Sequence, residues 1–133
     1  MIPQGYHKKF NYDFGQLFCY DHYVIGKLDE DSLVTTTLAT QLLSDIRSHY
    51  GKNKVVYISN REFGHSVDPK VYKLINPKQM IGIAIVGNSS IQRIQATTEQ
   101  SLYNGSFGYF NNMESAVLWA KTFVQDKLSK PTG

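Results

Sequence analysis

The residues best equipped for chemistry fall in one stretch, Asn60, Arg61, Glu62, Phe63, Gly64 and His65, which brings a guanidinium, a carboxylate, an aromatic ring and an imidazole together. Arg61 can clamp a carboxylate or phosphate through two parallel N–H donors, and His65 can exchange protons near neutral pH. The plainer reading is a solvated loop in which Arg61 forms a surface pair with Glu62 or Asp68. One short loop holds no complete set of base, nucleophile and orienting group, so no catalytic residue is assigned. Ser66 precedes Asp68-Pro69, a helix-start signal, where unpaired N–H groups can hold an anion. That makes Ser66 a candidate phosphorylation switch; the alternative is that Ser66 or Asp68 simply caps the helix. Ser89 and Ser90, after Gly87, pose the same choice between a ligand contact and a cap.

Other chemistry finds less support. His7, His22, His49 and His65 show neither the i, i+4 spacing nor the carboxylate neighbours of a metal site, and no metal or cofactor is expected. Cys19, between Phe18 and Tyr20 in a strand-like run, reads as buried filler. No Gly-x-Ser-x-Gly elbow, phosphate loop or Gly-x-Gly-x-x-Gly turn is present. Trp119 falls off the main apolar stripe of its helix, so it is either an interface anchor or packs at the edge of a sheet.

The elements that must position these residues alternate along the chain. Gly15 to Tyr20 and Tyr23 to Leu28 read as an antiparallel hairpin joined at Asp21-His22. A helix from about Ser32 to Tyr50 follows, capped by Asp31 or Ser32, with Val34, Leu38, Leu42 and Ile46 on one face and Gly51 as its stop. Val55 to Ser59 suits a central strand, and Asn60 to Pro69 is the longest irregular segment. A short helix carries Val71, Leu74 and Ile75. Met80 to Val86 is the most apolar strand, and the helix after Ser89 or Ser90 has Ile91, Ile94, Thr98 and Leu102 as its apolar face. Ser106 to Phe110 is the last strand. Met113, Ala116, Val117, Ala120, Phe123, Val124 and Leu128 then mark an amphipathic helix. Helical crossovers between later strands make them parallel. The expectation is one α/β domain, a mixed sheet of about five strands covered by about four helices, over residues 12–128, with tails at 1–11 and 129–133.

Composition limits the partners. The 133 residues are 41% hydrophobic and 19% charged, with a net charge of +3 from dispersed basic residues, which gives no footing for nucleic acid. No apolar run is long enough to span a bilayer, no signal segment is evident, and the lone cysteine suits a reducing compartment, so a cytoplasmic address is expected. Phe18, Tyr20 and Tyr23 on an edge strand offer a homodimer contact.

The order of elements, the very apolar fourth strand, and the ending Phe107-Gly-Tyr-Phe110, Met113-Glu-Ser-Ala116, Trp119-Ala120 resemble the SpoIIAA-like branch of the STAS superfamily. Those proteins are related in fold to bacterial anti-sigma factor antagonists. Phe110, Glu114, Ala116 and Trp119 match the branch's aromatic strand end, polar cap, alanine and tryptophan. The resemblance spans roughly Gly15 to Val124 and implies a module that works by binding, usually under phosphorylation control. The antagonists' Asp-Ser-Ser/Thr-Gly signature is missing; Gly64 to Pro69 stands in its place, with Ser66 as the nearest positional candidate. The function expected is therefore a non-enzymatic regulatory or protein-interaction module, with the Asn60 to Asp68 loop and the helix after it as the contact surface and Ser66 as the switch. A binder of a small hydrophobic or anionic ligand is the alternative, since the wider fold resembles lipid-binding domains, and an enzyme using Arg61 and His65 ranks behind both.

Overall fold

A seven-residue run with no polar side chain, Met80–Val86, is buried along its whole length and forms the middle of a parallel sheet. This placement is found in a computed structural model that describes residues 2–29, 32–61 and 66–129. The strands are β1 (Lys8–Tyr12), β2 (Gly15–Cys19), β3 (Tyr23–Leu28), β4 (Leu33–Val34), β5 (Val55–Asn60), β6 (Ser66–Val67), β7 (Met80–Val86) and β8 (Ser106–Phe110). The helices are α1 (Thr36–Tyr50), α2 (Ser90–Gln100) and α3 (Met113–Ser129), with a 3-10 helix at Pro69–Leu74. Among the described residues the main sheet runs β1-β2-β3-β5-β7-β8, and β4 pairs with β6 apart from it. The first three strands form an antiparallel meander; from β3 onward the neighbours are parallel.

The sheet thus has six strands rather than about five, and the expected tail 1–11 contributes the extra one. Lys8–Tyr12 pairs with β2 along its whole length, and the His7 amide donates to the Cys19 carbonyl at 3.0 Å. Its signal is faint because an edge strand needs only alternate residues inside, here Phe10 and Tyr12, which pack on the α1 side. At the other end, α3 reaches Ser129, and residues 130–133 lie outside the described residues.

Helix α1 also begins later than its apolar spacing suggests. Leu33–Val34 is extended and pairs in parallel with Ser66–Val67, so the cap passes to Thr35, whose hydroxyl accepts from the Leu38 amide at 3.2 Å. The cap expected at Asp31 or Ser32 is replaced for that reason. Gly51 ends the helix at φ 60, as read from its type.

The two faces of the sheet carry different helices. On one, Ala116, Ala120 and Val124 of α3 pack against Ile25, Val56, Ile58 and Ala84; the small residues let the helix approach closely. On the other, Leu42, Ile46 and Tyr50 of α1, with Tyr72 and Tyr103, cover Leu17, Val24, Val55 and Ile83. The Tyr50 hydroxyl bonds the carbonyls of Tyr20 (2.6 Å) and Tyr23 (2.9 Å), tying the end of α1 to the β2–β3 turn. Phe18, Tyr20 and Tyr23 are buried, and β2 is covered by β1. The homodimer contact expected from these rings has no exposed surface there, because the unforeseen first strand takes the edge.

Candidate functional site: a buried ion pair and an outward-facing helix

Arg61 follows β5 directly, at the carboxyl end of the parallel strands, where open sheets of this kind bind ligands. Its amide donates to the Val86 carbonyl at 2.8 Å, extending the β5–β7 ladder by one residue. That step turns the side chain under α2 instead of into solvent. Arg61 is 2% exposed. Its Nε donates to Ser59 Oγ at 3.1 Å, its Nη2 to Glu99 Oε1 at 2.5 Å, and its Nη1 to Glu99 Oε2, a bidentate clamp on one carboxylate. The Tyr72 hydroxyl donates to the same carboxylate, and Gln92 Nε2 donates to the Arg61 carbonyl at 2.6 Å. The expectation of a solvated Arg61 paired with Glu62 or Asp68 is corrected: its partner is Glu99, on a helix 38 positions away.

The electrostatics agree with the geometry. Burial lowers the guanidinium's pKa, but the Glu99 carboxylate and the Tyr72 hydroxyl outweigh it, so Arg61 is held above its ordinary value and stays charged. Burial, then the charge of Glu99, raises the Tyr72 hydroxyl, so it remains a neutral donor. Tyr57 is pushed up to about 12 by burial, with Arg61 acting the other way. Tyr57, Ser59, Arg61 and Tyr72 border a largely apolar cavity of about 60 Å3 whose other walls include Leu42, Ile46, Val71, Ile75 and Ile83.

The ion pair decides how α2 sits. The face expected to be buried, Ile91, Ile94, Thr98 and Leu102, points outward: Ile91 is 68% exposed, Ile94 67% and Leu102 42%. Ala96 and Glu99 are buried instead. The two faces lie roughly 125° apart round the helix, so only one can meet the sheet. An Arg61 out of water requires its counter-charge. Glu99 is the sole acid of α2, and its position beside Ala96 on one face is the only sequence signal that could have marked it.

The remaining candidates are scattered. Asn60 is buried at the end of β5 and, with Val86, Gly87 and Asn112, borders an open groove of about 870 Å3 beside the start of α3. Glu62, Phe63 and His65 lie outside the described residues. Ser66 is exposed in β6, its amide bonded to the Ser32 carbonyl at 2.9 Å, and it does not cap a helix. Asp68 does, accepting from the Lys70 amide at 3.0 Å. Ser89 caps α2, accepting from Gln92 at 3.2 Å, and Ser90 is the first residue of that helix. Trp119 is half-buried on the opposite face of the sheet, against the rings of Phe110 (5.6 Å) and Phe123 (5.2 Å) and over Gly82. Packing accounts for it. Tyr72, Glu99, Ser59 and Gln92, which complete the Arg61 cluster, carry no motif.

The order of strands and helices is similar to that in the crystal structure of an uncharacterized protein of the DUF3478 family, with a SpoIIAA-like fold, from Shewanella loihica PV-4. The match has a TM-score of 0.56 at 16% identity and covers 74% of this chain and 83% of that one. The fold is SpoIIAA-like. No protein-family model and no curated protein matches the sequence. At such identity the likeness extends to the SpoIIAA-like architecture alone. Within that architecture the Phe110, Ala116 and Trp119 positions that carried the resemblance meet where β8 packs on α3. Among the described residues, no helix is long and apolar enough to cross a membrane.

Proposed function

We propose that this SpoIIAA-like chain is a non-enzymatic protein-interaction module that meets its partner through the outer side of α2. The observation that carries the reading is the orientation of that helix, which turns its carboxylate inward and leaves Ile91, Ile94 and Leu102 in water. An apolar row on a helix surface fits a groove or a second helix on another protein. Three part-exposed side chains fall well short of the roughly 800 Å2 per partner typical of a stable complex, so the contact is transient. No exposed acid lies on α2, while Arg93 does, which suits a partner with acidic residues round an apolar centre. The ion pair also argues against catalysis: Arg61 and Glu99 neutralise each other and leave neither group to move a proton. Ser66, exposed two residues from Asp68, remains the proposed point of phosphorylation control.

A small-ligand role ranks second. The cavity beside Arg61, about 60 Å3, is smaller than the roughly 150 Å3 that admits benzene, so it has no room for a lipid. The interaction reading is tested by comparing wild type with Ile94→Lys as bait for native partners. Ile94 is solvent-exposed, so the variant should fold unchanged and lose the proteins that wild type retains. Equal retention by both would remove α2 as the contact surface.

A further inference from the structure

The two edges of the main sheet are guarded unequally. The outer strand β1 carries Lys8 and Lys9, whose ammonium groups lie 5.1 and 5.5 Å from the rings of Phe10 and Phe18. Charge of this kind keeps a bare strand edge from recruiting another chain. The opposite edge, β8, is Ser106-Phe-Gly-Tyr-Phe110, with no charge and no proline, and among the described residues β7 is its only neighbour in the sheet.

The backbone of β8 is directional in a useful way. Phe110 lies opposite Val86, and its carbonyl accepts from the Gly87 amide at 3.0 Å. Alternation along a strand then turns the N–H and C=O groups of Ser106, Gly108 and Phe110 toward β7, and those of Phe107 and Tyr109 away from it. The outward groups flank Gly108 symmetrically, and each belongs to an aromatic residue.

We propose that β8 is a self-association edge, on which two copies of the chain pair antiparallel about a two-fold axis at Gly108. In that register Phe107 faces Tyr109 of the second copy, and Tyr109 faces Phe107, so the outward N–H and C=O groups satisfy one another. Both rings lie on the α2 side of the sheet, where Tyr103 and Arg93 border them, so each hydrogen-bonded pair is also an aromatic cross-strand pair. The central pair is glycine on glycine, in the closer of the two spacings of an antiparallel ladder. A Cβ at Gly108 would meet the Phe110 ring at 2.9 Å, so the position is kept slim on its own chain as well. The pairing closes at two copies, since each dimer presents only lysine-bearing β1 strands at its ends. A five-residue strand buries too little for a tight complex, and the dimer forms only at high protein concentration. The proposal is independent of the α2 surface.

Sedimentation equilibrium over a wide concentration range, combined with residue-resolved amide exchange, tests it on the unmodified protein. The mass should rise from one chain to two with concentration. The amides of Phe107 and Tyr109 should slow in parallel, whereas those of Gly108 and Phe110, bonded to β7, are slow throughout. Ser106→Lys, which adds a guarding charge at an exposed position, should remain a monomer with unchanged circular dichroism. A strict monomer at every concentration would overturn the proposal. So would a dimer in which the Phe107 and Tyr109 amides still exchange fast, since another surface would then hold it.

Discussion

At the scale of single residues, the Arg61–Glu99 pair is a buried ion pair with a large electrostatic stake. A buried ion pair adds little compared with a well-packed apolar pair, but removing one partner strands the other charge out of water. Glu99→Gln should therefore cost about 3–5 kcal/mol, a large share of the roughly 5–15 kcal/mol that stabilises a domain. The fall in the urea midpoint measures it, and an unchanged midpoint would mean that Arg61 is hydrated. His49 supplies a milder, pH-dependent effect. Its Nε2 lies 2.7 Å from Nε2 of His7, an arrangement that needs at least one unprotonated ring nitrogen, and Asp21 Oδ1 lies 3.6 Å from the other ring nitrogen of His7, Nδ1. Burial first, then the charges of His7 and Lys8, hold the His49 pKa below its ordinary 6.5. The unfolded chain consequently takes up this proton at higher pH than the folded one. The stability tied to His49 is complete above pH 6.5 and is lost as the pH falls through the lowered value. Melting temperatures recorded on acidification should fall more steeply for wild type than for His49→Gln; superimposable curves would remove His49 as the source.

At the scale of elements, close contacts between strands and rings set the tolerances. Gly26 on β3 lies against Tyr57 of β5, and a Cβ there would stand 1.9 Å from the tyrosine hydroxyl. Tyr57 is partly buried against the α1 side of the core, and so close an approach forces its ring to move, so Gly26→Ala should cost about 1–3 kcal/mol through overpacking. Gly82→Ala, whose Cβ would be 3.1 Å from the tip of Trp119, should cost less because that ring is half-exposed and can tilt. Thermal unfolding of the two variants checks the order. Elements whose neighbours are set by their own pattern were legible in the sequence: the all-apolar β7, the β2–β3 hairpin, the small-residue stripe of α3, and the Asp68 and Ser89 caps. Those decided by a distant partner were not. The orientation of α2 follows from an ion pair to Arg61, β1 is a strand because β2 is beside it, and Leu33–Val34 leaves α1 because Ser66–Val67 offers it a ladder. The candidate site suffered in the same way: Arg61 was legible as a residue of interest, but its burial depended on Glu99 and Tyr72, which local pattern does not connect to it.

At the scale of the whole molecule, one face of the sheet is sealed by α3 and the other by α1, α2 and the 3-10 helix. Both proposed contacts, the flank of α2 and the edge of β8, lie outside these two layers. The division of the sheet into an antiparallel meander and a parallel remainder also orders its assembly in time. β1, β2 and β3 are joined by short turns and close with little loss of chain entropy, whereas β3 gains β5 only after the whole of α1 lies between them. Synthesis from the N-terminus delivers them in that sequence. Until β5 emerges, the meander has an open edge at Tyr23–Leu28, a largely apolar strand destined for the interior. The nascent chain is therefore most exposed to misassociation before its fifth strand emerges.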